Sequence, residues 1–189
     1  MEERGAAQRR MVLIMATLTL VLMPVTGWVI SLFSSKIILW DRWVGNETLS
    51  YQIGIGLAVG TIAGFLARKV IEMDFMEPVR SRYAARFADL KLNWVAVVFI
   101  SLCAGIGEEL LFRGAIQPLL GIVITAIVFV AIHGYLNPKD WRVSVYGIFM
   151  TIIIVLFGWM TDEIGIWSAV IAHAMVDVIL LADLGKEEA

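Results

Sequence analysis

Charge is scarce in this 189-residue chain: 17% of residues are Asp, Glu, Lys or Arg, against 60% that are hydrophobic. A soluble domain of this length needs more polar surface than that to cover itself, so a water-soluble fold is excluded. Cysteine is nearly absent. Cys103 stands alone, which rules out an internal disulfide and a cysteine-based metal centre, and it reads as a small packing residue. The net charge of −2 offers no basic surface for nucleic acid. Period-two alternation is missing from the apolar stretches, which excludes a transmembrane barrel. Histidine occurs only twice, as His133 and His173.

Long apolar runs fill the space that charge leaves. Six segments, 11–33, 48–67, 92–118, 120–135, 141–160 and 164–182, together with a mean hydropathy of +0.84, predict an all-α fold. It is a polytopic transmembrane bundle of about six helices, with residues 1–189 as a single integral domain. The first run follows Arg4, Arg9 and Arg10, is long enough to span a bilayer, and is followed by no small-x-small cleavage site. It therefore reads as a retained transmembrane helix. Gly56, Gly60 and Gly64, four residues apart, allow another helix to approach closely. Trp40, Trp43, Trp94, Trp141, Trp159 and Trp167 sit near segment ends, as interfacial anchors do. From Pro78, the residues Val79, Tyr83, Phe87 and Leu90 share one helical face, which suggests an amphipathic helix at the interface; a solvated basic loop is the alternative.

Basic residues are unevenly distributed. With a cytoplasmic N-terminus, twelve of the fifteen Lys and Arg residues fall on inside segments, leaving Lys36, Arg42 and Arg113 elsewhere. This predicts an integral membrane protein with both termini cytoplasmic; the expected location is a prokaryotic cell membrane. The same count carries Glu108 toward the outer half of the membrane.

The few polar residues inside the apolar segments form three clusters. Glu108, Glu109 and Arg113 lie in the third segment, His133 in the fourth, and His173 with Asp177 in the sixth. Each charge costs roughly 2.5–3.5 kcal/mol to insert, so charges there are paired or do chemistry. On a helix Glu109 and Arg113 are four apart and form an ion pair, while Glu108 points about 100° away and is left to react. Gly105 and Gly107 leave room for a substrate backbone or a neighbouring helix. If the chain reverses near Leu120 and Gly121, Glu108 lies about 18 Å and His133 about 20 Å from the turn, at the same depth. His173 falls near mid-membrane, and Asp177 shares its face.

A carboxylate beside an imidazole in a low-dielectric cavity deprotonates a water, and a second imidazole donates to the developing oxyanion. These are the parts of a non-covalent peptide hydrolase acting on membrane-associated protein or peptide substrates. No serine has a convincing setting; Ser101 reads as helix packing. Two other readings stand beside this one. In a non-proteolytic membrane factor, such as a bacteriocin-immunity or assembly partner, the same residues only hold helices together. A proton-coupled transporter would use Glu108 as a proton carrier, although no repeated half-structure supports it.

The clusters resemble the motifs of the CPBP family, the CAAX-protease and bacteriocin-processing membrane proteins. Its pattern E-E-x-x-x-R, F-x-x-x-H and H-x-x-x-N/D appears as Glu108-Glu109-Leu110-Leu111-Phe112-Arg113, Phe129 to His133, and His173 to Asp177. The resemblance covers residues 92–182, the expected catalytic core. It implies a glutamate-dependent intramembrane endopeptidase with no cofactor and no metal. In that reading Glu108 and His133 activate water, His173 and Asp177 lie on the oxyanion side, and Glu109 and Arg113 support the site. An ionised Asp cannot donate a hydrogen bond as Asn does. Asp177 is accordingly either protonated or a partner that fixes His173.

Overall fold

The computed structural model describes residues 2–35, 37, 39–87, 90 and 92–184, and every regular element among them is helical. All six apolar segments form helices: α1 (Glu2–Ser31), α3 (Leu49–Ile71), α5 (Trp94–Leu111), α7 (Ile122–Ile132), α8 (Trp141–Glu163) and α9 (Ile166–Leu184). Between them lie α2 (Leu39–Val44), α4 (Glu77–Phe87) and α6 (Gln117–Leu120), and a π turn over Phe112–Ile116 joins α5 to α6. The chain is a helical membrane bundle. Helix starts follow local capping: the Asn93 side chain accepts from the Ala96 amide at 2.9 Å and opens α5, satisfying an amide that the helix itself leaves unpaired.

Four helical stretches are long and apolar enough to cross a membrane: Gly5–Ser31, Leu49–Ile71, Trp94–Leu120 and Trp141–Glu163. Two of the six expected segments are not among them: the sixth, apolar over Ile166–Ala182, and the fourth, which falls further short. Its helix α7 has 11 residues, a rise of about 16 Å against a hydrocarbon core of about 30 Å. Hydropathy runs on to Tyr135, but Gly134 adopts φ 77°, a conformation that favours glycine and ends the helix.

Contacts between helices fix their directions. Gly107 packs on the Thr19–Leu20 backbone and Gly27 on Leu110 and Leu111, so α1 and α5 run parallel. Gly56, Gly60 and Gly64 meet Ser168, Ala172 and Val176 in turn, so α3 runs parallel to α9 along the expected glycine stripe. Gly105 rests against Val170 and Ala174, while Leu110 clusters with Ile166 and Val170, which makes α5 and α9 antiparallel. Arg113 reaches Ile154 and Gln117 reaches Gly158, setting α8 parallel to α5. Ile122 meets Gly158 and Tyr135 meets Gly147, setting α7 antiparallel to α8. Helices α1, α5 and α8 thus point one way and α3, α7 and α9 the other. Both glycines beside the carboxylates are occupied by neighbouring helices, Gly105 by α9 and Gly107 by α1. Neither leaves space for a substrate.

The end of the bundle where α8 begins is tied to α4 by Arg82 and Asp140, 3.2 Å apart. Val79 on α4 does not face lipid. It is buried with Ala67, Met76, Val143 and Tyr146. The side chains of Tyr83 and Phe87 lie outside the described residues, as does that of Trp40. At the opposite end, the fully buried Gln52 amide donates to the carbonyls of Val44 and Glu47 and accepts from the Trp167 amide, fastening α2 and α3 to the start of α9.

Candidate active site

Glu108 and His133, from two antiparallel helices, come within 3.3 Å (Oε2 to Nε2). The imidazole follows the last turn of α7, and its own helix orients it: Nδ1 lies 2.7 Å from the Phe129 carbonyl oxygen. A carbonyl only accepts, so Nδ1 carries a proton, and Nε2 faces Glu108. Glu108 Oε2 is buried with no hydrogen bond from the protein. The His133 side chain keeps 31% of its accessible surface against 12% for Glu108, so the open side of the pair is the histidine side.

A second set is built around Glu109, whose side chain is completely buried. Its Oε2 pairs with Arg113 Nε at 3.1 Å, the expected i, i+4 contact. Its Oε1 lies 2.8 Å from His173 Nδ1, a contact that the helical spacing does not reveal. With the carboxylate held by the guanidinium, Nδ1 of His173 donates and Nε2 is turned toward Asp177 Oδ2, 3.7 Å away. The Asp177 side chain is 29% exposed and that of His173 10%. Asp177 therefore stands at the open edge, and Glu109 is the firmer anchor of His173.

Arg113 is buried to 1%. Besides Glu109 it donates from Nη2 to the Ile154 carbonyl at 3.4 Å and lies 5.0 Å from the centre of the Phe129 ring, within cation–π range. The π turn begins one residue earlier. Such turns leave carbonyls unpaired within a helix, and here the Arg113 carbonyl accepts from Arg42 of α2 at 3.1 Å. Arg42 also pairs with Asp162 at 2.9 Å, so α2 and α8 brace the segment that carries Arg113.

Phe129 links the two sets. It stacks on His133 (centroids 4.4 Å apart, planes 28°) and meets His173 edge-on at 5.8 Å and Phe112 edge-on at 4.9 Å. All six residues singled out from the sequence thus converge: Glu108, His133, Glu109, Arg113, His173 and Asp177. Sequence reasoning missed the bond between Glu109 and His173 and the ring of Tyr135, which also stacks on His133. Among the described residues no group of three or more His, Cys, Asp and Glu side chains is arranged to hold a metal ion. Cys103 is buried and unpaired with another cysteine.

A family model described as type II CAAX prenyl endopeptidase Rce1-like matches residues 90–179, from just before α5 to within α9. Over this segment, just under half of the chain, the sequence is similar to the Rce1-like family. The match contains all three clusters and corresponds to the CPBP and CAAX-protease grouping suggested by the motifs. No curated protein and no solved structure matches the chain. Helices α1 and α3 precede the Rce1-like segment, yet both pack on it, α1 behind Gly107 and α3 along α9.

Proposed function

We propose that this protein is an intramembrane endopeptidase in which Glu108 activates a water for attack on the peptide bond of a membrane-anchored or C-terminal-signal-bearing substrate. The observation that carries the reading is the approach of Glu108 Oε2 to His133 Nε2 at mid-depth of an apolar bundle, inside a segment of a protease family. A water held against both atoms from the open side gives its proton to the Glu108–His133 pair as its oxygen bonds to the substrate carbonyl carbon, and the carbonyl π electrons move onto oxygen. The oxyanion forms on the side of His173 and Asp177. For His173 Nε2 to donate while Nδ1 stays bound to Glu109, the ring carries both protons and is held by the Glu109 carboxylate, with Asp177 as a second donor at the open edge. Collapse of the intermediate breaks the C–N bond, and the proton held by the pair passes to the leaving amine.

Access comes from the end where α8 begins. Helix α7 stops at Ile132, and residues 134–140 return to Trp141 without a helix. Tyr135 lies level with Gly147, about 9 Å of helix rise inside α8. The non-helical stretch leads from His133 to the end bearing Lys139, Arg142, Arg68, Lys69, Arg80 and Arg82. That end is cytoplasmic if the excess of Lys and Arg sets the orientation. The substrate then arrives from the basic face, in place of the outer-half position expected from the charge count alone.

The test uses protein purified into lipid vesicles and an internally quenched peptide carrying a prenylated cysteine near its C-terminus, the substrate class named in the family description. Cleavage by the wild type and none by Glu108→Gln supports the proposal. Equal cleavage by both contradicts it.

A further inference from the structure

His133 has an insecure position for a group that must meet a carboxylate. It follows the last residue of α7, with nearly a third of its side chain exposed, and its short hydrogen bond to Phe129 still allows the ring to tilt. Two aromatic rings restrict it. Phe129 stacks on the imidazole from four residues earlier, and Tyr135 stacks on it from two residues later, with centroids 6.1 Å apart and planes within 13°. Tyr135 reaches that place because Gly134, at φ 77°, reverses the chain and lets the Tyr135 amide bond back to the Val130 carbonyl at 3.2 Å. The tyrosine is itself supported from α8. Tyr146 meets it edge-on at 5.3 Å, and a Cβ at Gly147 would collide with the Tyr135 backbone.

We infer that Tyr135 is a positioning residue for His133, its ring holding the imidazole in the plane that keeps Nε2 directed at Glu108. Phe129 performs the same task from within the helix. The face of an aromatic ring also attracts the imidazole as it gains a proton, so the contact strengthens as water is deprotonated. This role rests on the Glu108–His133 reading of the site and assigns it a residue outside its three motif clusters. Stacking of this kind is worth a factor of about three to ten in rate.

The test exploits the presence of only two histidines. Protein labelled with nitrogen-15 in histidine, in lipid nanodiscs, gives ring signals from His133 and His173 alone, each assigned by substitution. Tyr135→Leu is expected to shift and broaden the His133 signals while leaving those of His173 in place. On the quenched prenylated peptide it lowers kcat about three- to tenfold with KM unchanged. Tyr135→Phe restores both readouts. An unmoved His133 signal, an unchanged kcat, or a Phe variant no better than Leu overturns the inference. Should Tyr135→Leu fail to fold, Tyr135→Met is measured in the same way. If the wild type does not cleave the peptide, the proposed activity fails, and the histidine signals still decide whether Tyr135 orients His133.

Discussion

Glu109 holds His173 by a 2.8 Å contact to Nδ1 while its other oxygen pairs with Arg113. The carboxylate next to the proposed base is therefore more than a counter-charge for a buried arginine. It joins the arginine to His173, on the proposed oxyanion side, and leaves Asp177, 3.7 Å from the same ring, as the looser neighbour.

Glu109→Gln should damage the protein in two ways. Arg113 is left as an uncompensated buried cation, a loss of about 3–5 kcal/mol, and His173 loses its charged acceptor. Thermal unfolding in detergent is expected to show a clearly lower midpoint for Glu109→Gln and a near-native one for Glu108→Gln. Equal midpoints would remove Glu109 from its structural role.

Asp177 is expected to tolerate an amide. With His173 anchored by Glu109, Asp177→Asn supplies a donor at the open edge of the site and keeps most of the rate. Asp177→Ala removes the polar group and should cost more than about tenfold, equivalent to roughly 1.4 kcal/mol of barrier. Single-turnover rates on the quenched peptide distinguish these outcomes. A wild-type rate for Asp177→Ala takes the residue out of the site.

The packing of α3 on α9 gives a stability prediction that reaches the site. A Cβ at Gly60 would stand 2.5 Å from the Ala172 carbonyl, whereas one at Gly54 would meet nothing within 4 Å. Gly60→Ala should cost about 1–3 kcal/mol by overpacking and also lower activity, because Ala172 adjoins His173. Gly54→Ala should be near neutral in both. Unfolding midpoints and rates of this pair check the register of the two helices.

Much of this architecture is legible in the sequence because hydropathy and helical geometry act locally. The six apolar segments, the ion pair of Glu109 with Arg113, and the equal depth of Glu108 and His133 across a reversal at Gly121 all follow from spacing. The rest depends on which faces meet between helices. Nothing in the spacing of Glu109 indicates that α9 brings His173 to its second oxygen. The shortness of α7 was hidden because Gly134 and Tyr135 continue an apolar stretch whose backbone has already turned. Val79 looked interfacial because it lies on an amphipathic face. That face is covered by Met76, Val143 and Tyr146, residues up to 67 positions away in the chain.

Activity should withstand strong chelators, since both anchoring atoms of Glu109 are engaged by Arg113 and His173 and the proposed base is Glu108 with His133. Dialysis against a chelator followed by the peptide assay is the check. Loss of activity restored specifically by zinc would reassign Glu108, His133 and His173 as metal ligands.

The most direct test of the account is the cleavage rate of purified, folded Glu108→Gln beside Glu109→Gln at a temperature where both remain native. The amide at 108 keeps the shape of the carboxylate but cannot take a proton from water. The account predicts that Glu108→Gln loses several orders of magnitude in rate with its unfolding midpoint intact, whereas Glu109→Gln loses stability and retains measurable turnover. An active Glu108→Gln beside a stable but inactive Glu109→Gln would contradict the account and exchange the roles of the two carboxylates.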